Sequence, residues 1–124
     1  MKFATPHAAS KAEIKGIVQA FAHAAEYLYR AGFDGVELHG AHGYLLSQFL
    51  SRRSNQRSDD YGGSIANRAA IIVEIVAAIR ERVPQSSGFV MGIKLNSVKF
   101  DDKGFTPLKN KISCTRPQSS DALS

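Results

Sequence analysis

The chain has 124 residues, 44% of them hydrophobic and 22% charged, a balance that suits one globular domain and excludes a collagen, a disordered tail or a membrane bundle. Its length falls short of a complete (β/α)8 barrel, which takes roughly 250 residues. Sixteen Lys and Arg against eleven Asp and Glu give a net charge of +5, but the basic residues are scattered, with no block longer than two and no aromatic-rich RNA-binding signature.

A solvated surface is therefore the reading of that charge, and no nucleic-acid partner is expected. The single cysteine, Cys114, can form no internal disulfide and belongs to no zinc spacing, which suits a reducing compartment. The N-terminal MKFATPHAASKAE lacks the apolar region of a signal peptide, and no window reaches the roughly 18 apolar residues of a membrane span. A cytoplasmic protein without a membrane partner is the expectation.

Ser10 followed by Glu13 is a capping-box pattern, and Ile14, Ile17, Val18, Phe21, Ala24, Ala25 and Leu28 then recur at helical spacing. Gly32 is placed as the C-terminal cap of that helix. The run Phe33–His39 reads as a buried strand with its polar residue His39 at the carboxyl end. Tyr44–Leu50 suits a short helix, and Ser51–Gly63 a long polar loop of the kind that is functional or disordered. Ser64 caps a second long helix that turns Ile65, Ile71, Ile72, Ile75, Val76 and Ile79 to the core and Arg68, Glu74, Arg80 and Glu81 to water, until Pro84 ends it. Phe89–Asn96 reads as a second strand, apolar enough for burial on both faces.

Helix, strand, helix, strand is an α/β order, and strands joined by such a crossover run parallel. Two parallel strands leave sheet edges open, through which self-association is possible. From Leu108 the chain loses its periodicity and reads as a flexible tail.

Chemistry concentrates in His39-Gly40-Ala41-His42-Gly43-Tyr44, directly after the first strand, where α/β folds place their active-site loops. Imidazole N–H groups can stabilise an oxyanion and a phenol can deliver a proton. The alternative is a pair of polar loop histidines with Tyr44 packed under the following helix. A metal reading uses His39 and His42 with Glu37 nearby, but His7 and His23 sit in no ligand motif, so no metal is expected. Lys94 lies in an otherwise apolar strand, where burial would demand an anion or another partner.

The run AGFDGVELHGAHGYLLSQFLS, from Ala31 to Ser51, followed by NQRSDDYGGSIANR, from Asn55 to Arg68, resembles the old yellow enzyme family of FMN-dependent ene-reductases and NADH:flavin oxidoreductases. The resemblance covers about Phe3 to Pro107, including GIKLNSVKF, which is similar to the fifth barrel strand of fungal-type members. It implies an α/β fold that is part of a TIM barrel, from about helix 3 to strand 5, the barrel being incomplete.

Carried over by position, His39 and His42 match the pair that hydrogen-bonds the substrate's carbonyl or nitro oxygen. Tyr44 matches the proton donor. Lys94 matches the basic residue that contacts the flavin near its N1 and C2 oxygen. The implied cofactors are FMN and NAD(P)H as reductant, and the implied substrate is an activated alkene or enone. A phenol, whose ordinary pKa is about 10, carries its proton at neutral pH. Asp59, Asn67 and Arg68 read as residues that fix the loop rather than perform chemistry.

The family's other flavin-holding segments, from strands one to three, seven and eight, have no counterpart in these 124 residues, and the resemblance ends abruptly after Phe105-Thr106-Pro107. Residues 1–107 are accordingly expected to form a partial barrel segment and residues 108–124 an unrelated, disordered tail. Two functional expectations follow. One is an FMN-dependent oxidoreductase of this family; the other is a non-catalytic truncated fragment that does not bind FMN by itself.

Overall fold

The computed structural model describes residues 5–96. The expected boundary at Pro107, the tail after it and Cys114 lie outside those residues. The first element is helix α1 (Lys11–Arg30), begun by the full capping box: Ser10 Oγ accepts the Glu13 N–H at 3.2 Å and the Glu13 carboxylate accepts the Ser10 N–H at 2.7 Å. That second bond, with help from His7, holds the Glu13 carboxyl down to about 2. At the other end Gly32 takes φ +87°. The Gly32 and Phe33 N–H groups then close on the Tyr29 and Leu28 carbonyls, the paired bonds of a Schellman stop.

Strand β1 (Gly35–Gly40) follows directly, and β2 (Val90–Leu95) pairs with it in parallel, Gly35 opposite Val90 and Gly40 opposite Leu95. The backbones run so close at the first pair that a Cβ on Gly35 would lie 2.4 Å from the Val90 carbonyl oxygen. Between the strands come the short helix α2 (Leu45–Leu50), the loop over residues 51–64, and helix α3 (Ile65–Arg82). Ser64 Oγ caps α3 by accepting the Asn67 N–H at 3.1 Å. A 3-10 turn, Gln85–Ser87, which the sequence pattern does not foreshadow, separates Pro84 from β2.

The core is the seam between the two long helices and the sheet face beneath them. Ile14, Val18, Ala22 and Ala25 of α1 pack with Ile71, Ile75, Ala78 and Ile79 of α3, and Leu38 of β1 joins them. Ala22 rather than Ala24 completes the α1 stripe: Ala24 is exposed, because the step from Val18 to Ala22 to Ala25 keeps to one face.

Burial of β2 on both faces is not observed. Val90 is 65% and Ile93 39% exposed, since the helices cover one face of the sheet and, among the described residues, β1 is its only strand neighbour. Lys94 is exposed as well, so the buried cation that would need an anion does not arise.

Two residues expected to face water on α3 turn inward instead. Arg68 is 4% exposed; its Nε donates to the Leu50 carbonyl at 2.8 Å and its Nη1 to the Gly63 carbonyl, and burial draws its guanidinium below the usual arginine value. Glu74 accepts the Tyr61 hydroxyl at 2.9 and 3.0 Å. Burial, with Glu74 second, pushes that phenol's pKa up. The Leu50 carbonyl, left open where α2 ends, and the Gly63 carbonyl of the loop just before α3 thus share one fork-shaped donor.

The loop is held from within. Asn55 Nδ2 donates to the Phe49 and Tyr61 carbonyls, both at 2.7 Å. Arg57 grips Asp59 with two bonds of 2.9 and 2.6 Å while its Nη1 reaches the Ala9 carbonyl ahead of α1. Gly62 is required beside it, because a Cβ there would lie 2.0 Å from the Arg57 carbonyl oxygen.

Replacing Arg68 by Ala leaves two carbonyls without donors and is expected to destabilise the fold by about 2–4 kcal/mol. The measurement is the urea midpoint followed by circular dichroism; a midpoint equal to wild type would remove this role.

Asp59 gives a pH signature. The Arg57 hydrogen bonds hold its carboxyl at about 2, against an ordinary 3.8. Folding therefore favours the ionised form: its contribution is complete above about pH 4 and disappears as the pH falls through about 2. Asp59→Asn lacks that contribution throughout. Between these two pH values the wild type should lose more stability than the variant, and parallel acid-unfolding curves would contradict the assignment.

Candidate active site

Side chains alternate along β1, so Leu38, 5% exposed, faces the core while Glu37 and His39 face the open side of the sheet. The register sets Lys94 directly opposite His39, on that same open face. No carboxylate is paired with Lys94 among the described residues. Both residues lie at the carboxyl ends of their strands, one position before Gly40 and Leu95.

Beyond Gly40 the backbone reverses at once. The Tyr44 N–H donates to the Ala41 carbonyl at 3.2 Å, and both central residues of the turn take left-handed conformations, His42 at φ +58° and Gly43 at φ +77°. The reversal sets the His42 ring 5.1 Å from the His39 ring at 64° and the Tyr44 ring 5.2 Å from His39 at 48°. Tyr44 is the N-cap of α2 in an extended conformation and is 63% exposed, so it is not packed under the helix that follows it.

Two side chains fasten the turn. Asn96, just past β2, accepts the His42 N–H on Oδ1 at 3.2 Å, and Gln48 of α2 donates from Nε2 to the Gly43 carbonyl at 2.8 Å. A groove of about 300 Å3 runs between residues 7–9, α2 and the loop after it, with Leu45 and Gln48 among its walls.

Three of the four expected site residues, His39, His42 and Tyr44, thus meet as one ring cluster, and the fourth, Lys94, stands beside it through the strand register. Two imidazoles and a phenol around an open face can bind an oxygen and pass a proton. Among the described residues no three His, Cys, Asp or Glu side chains gather as metal ligands.

The family model for the NADH:flavin oxidoreductase / NADH oxidase family matches residues 2–116. The chain belongs to this family. Relatives in the NADH:flavin oxidoreductase family include the NADH-dependent flavin oxidoreductase nadA of Aspergillus parasiticus, 60% identical over 105 residues, which is 85% of this chain and 23% of that protein. The 12-oxophytodienoate reductase 2 of Arabidopsis thaliana is 48% identical over 66% of this chain and 22% of its own length. Among solved structures, morphinone reductase in complex with tetrahydroNAD superposes with a TM-score of 0.66 at 44% identity, over 74% of this chain and 24% of that one. The chain spans about a quarter of the length of these relatives.

Asn96 and Gln48 escape a reading of the sequence. Each is an isolated amide in an apolar stretch, and only the register of β2 and the first turn of α2 bring them to the His42–Gly43 turn.

Proposed function

We propose that this chain supplies the acceptor-side wall of an FMN-dependent NAD(P)H oxidoreductase that reduces activated alkenes such as enones. One observation carries the reading: the His42 and Tyr44 rings stand 5.1 and 5.2 Å from the His39 ring, centre to centre, at the carboxyl end of β1, with Lys94 opposite His39 in register. Family membership supports it, as does a relative named for the reduction of 12-oxophytodienoate. The order α1, β1, α3, β2 fits helix 3 to strand 5 of a TIM barrel. The scarcity of cysteine, Cys114 alone, accords with a cytoplasmic setting.

The residues present fit a flavin. Lys94 is an exposed cation without a carboxylate partner among the described residues, on the face that carries His39, and suits the edge of a flat ring on which negative charge collects. FMN bound here would supply hydride-transfer chemistry between NAD(P)H and the β-carbon of the alkene. His39 and His42 hold the substrate's carbonyl oxygen through ring N–H groups. Those bonds strengthen as negative charge moves onto that oxygen, which is how they favour the transition state over the bound substrate. Tyr44 donates the proton of its hydroxyl to the α-carbon.

A second reading rests on the open sheet. With one strand neighbour for β2 among the described residues, the chain alone can be a non-catalytic segment, and its free strand edge a surface for self-association. Titration of the 124-residue chain with FMN, followed by flavin fluorescence and size exclusion, separates the two. Saturable binding at micromolar FMN supports the enzyme reading, and absence of binding assigns this chain to the second.

In FMN-loaded protein, Tyr44→Phe should leave flavin reduction by NADPH nearly intact and slow enone reduction by about 10²-fold or more. Equal losses in both half-reactions would remove the proton-donor role. His39→Ala and His42→Ala should each weaken the binding of phenol-type ligands in an absorbance titration.

A further inference from the structure

We propose that Asn96 and Gln48 are positioning residues, which fix the His42–Gly43 turn and thereby set where the His42 imidazole stands against His39 and Tyr44. The inference rests on the acceptor role proposed for His42 and extends it to two residues that hold the backbone of its turn.

His42 is the one non-glycine residue with positive φ among the described residues, at +58°. A side chain with a Cβ holds that conformation only where its surroundings impose it. Here the imposition is specific. The turn makes a single hydrogen bond of its own, from the Tyr44 N–H to the Ala41 carbonyl at 3.2 Å. The peptide groups on either side of its central one are gripped from outside, the His42 N–H by Asn96 Oδ1 at 3.2 Å and the Gly43 carbonyl by Gln48 Nε2 at 2.8 Å.

An amide side chain suits each position. Asn96 offers an acceptor at short reach and Gln48 a donor at longer reach. Release of either grip frees the turn to rotate His42 toward negative φ. Because Cβ direction follows the backbone, the imidazole then leaves its place 5.1 Å from His39.

Asn96 also ties the turn to the cation. It lies two residues after Lys94, so the strand end that presents the lysine also sets the imidazole. The spacing between the expected acceptor site and the expected flavin contact is therefore carried by the end of β2 and the residue just past it.

The test begins with the flavin-free 124-residue chain. Amide hydrogen exchange at His42, read by NMR, should quicken about tenfold in Asn96→Ala, the effect of one lost hydrogen bond, and stay near wild type in Asn96→Asp, which keeps the acceptor. Exchange at Ile75 in the core reports that the variant is folded. Should Asn96→Ala fail to fold, Gln48→Ala, which leaves the Asn96 bond in place, should still shift the Gly43 and Tyr44 amide resonances. Unchanged His42 exchange in folded Asn96→Ala, or unmoved resonances in Gln48→Ala, overturns the positioning claim.

The second arm uses FMN-loaded protein. Asn96→Ala should raise the enone KM more than it lowers kcat, and Asn96→Asp should restore it. Faster exchange with an unaltered KM would overturn the acceptor role of His42 while leaving the clamp on the turn established, which keeps the two failures distinguishable.

Discussion

Everything in this molecule depends on two strands being parallel. An antiparallel pair can be joined by a two-residue turn, whereas a parallel pair needs a connection that returns along the full length of the strand. Residues 41–89 are that return. Their helix α3 finds its apolar face against α1 because both helices lie on the same side of the sheet. Parallel pairing also sends both carboxyl ends to one end of the sheet, which is why His39 and Lys94, far apart in sequence, are neighbours. The helices supply the apolar burial, and the strand ends are left free for chemistry.

Between those tasks the polar loop has its own economy of hydrogen bonds. Arg68 and Asn55 donate to the carbonyls of Leu50, Gly63, Phe49 and Tyr61, and Arg57, paired with Asp59, donates to that of Ala9. None of these groups belongs to the ring cluster. The loop's density of charged and amide residues, which in isolation suggests a binding surface, is thus accounted for by scaffolding, and the proposed site, His39, His42, Tyr44 and Lys94, lies outside it.

Much of this was legible in the chain itself wherever the signal was local. Ser10 with Glu13, Gly32, and the spacing of Ile71, Ile75 and Ile79 each carry their meaning within a few residues, and helices α1 and α3 follow from them. The ring cluster was also legible, since His39, His42 and Tyr44 lie within six positions and within motifs that resemble a known family. What escaped was set at a distance. The exposure of β2 depends on what covers its second face, which strand composition does not encode. Arg68 reads as a residue that fixes the loop, but its burial follows from the end of α2, 18 positions away, closing over it. Asn96 matters through a bond to a residue 54 positions away, and no local pattern announces it.

The contrast in span between these bonds has a consequence for how the chain acquires its shape. Apart from the Arg57 bond to the Ala9 carbonyl, which spans 48 residues, the loop's bonds close over at most 18, for Arg68 to Leu50, while the His42 grip closes over 54. The entropic cost of closure rises with the logarithm of the segment enclosed, and contacts near in sequence form sooner. The loop's short-range bonds therefore carry a smaller closure cost than the bond that ties His42 to the end of β2. His39, His42 and Tyr44 are members of one short segment, but the turn that aligns them is also held by Asn96, just past β2, the last of the described elements in chain order.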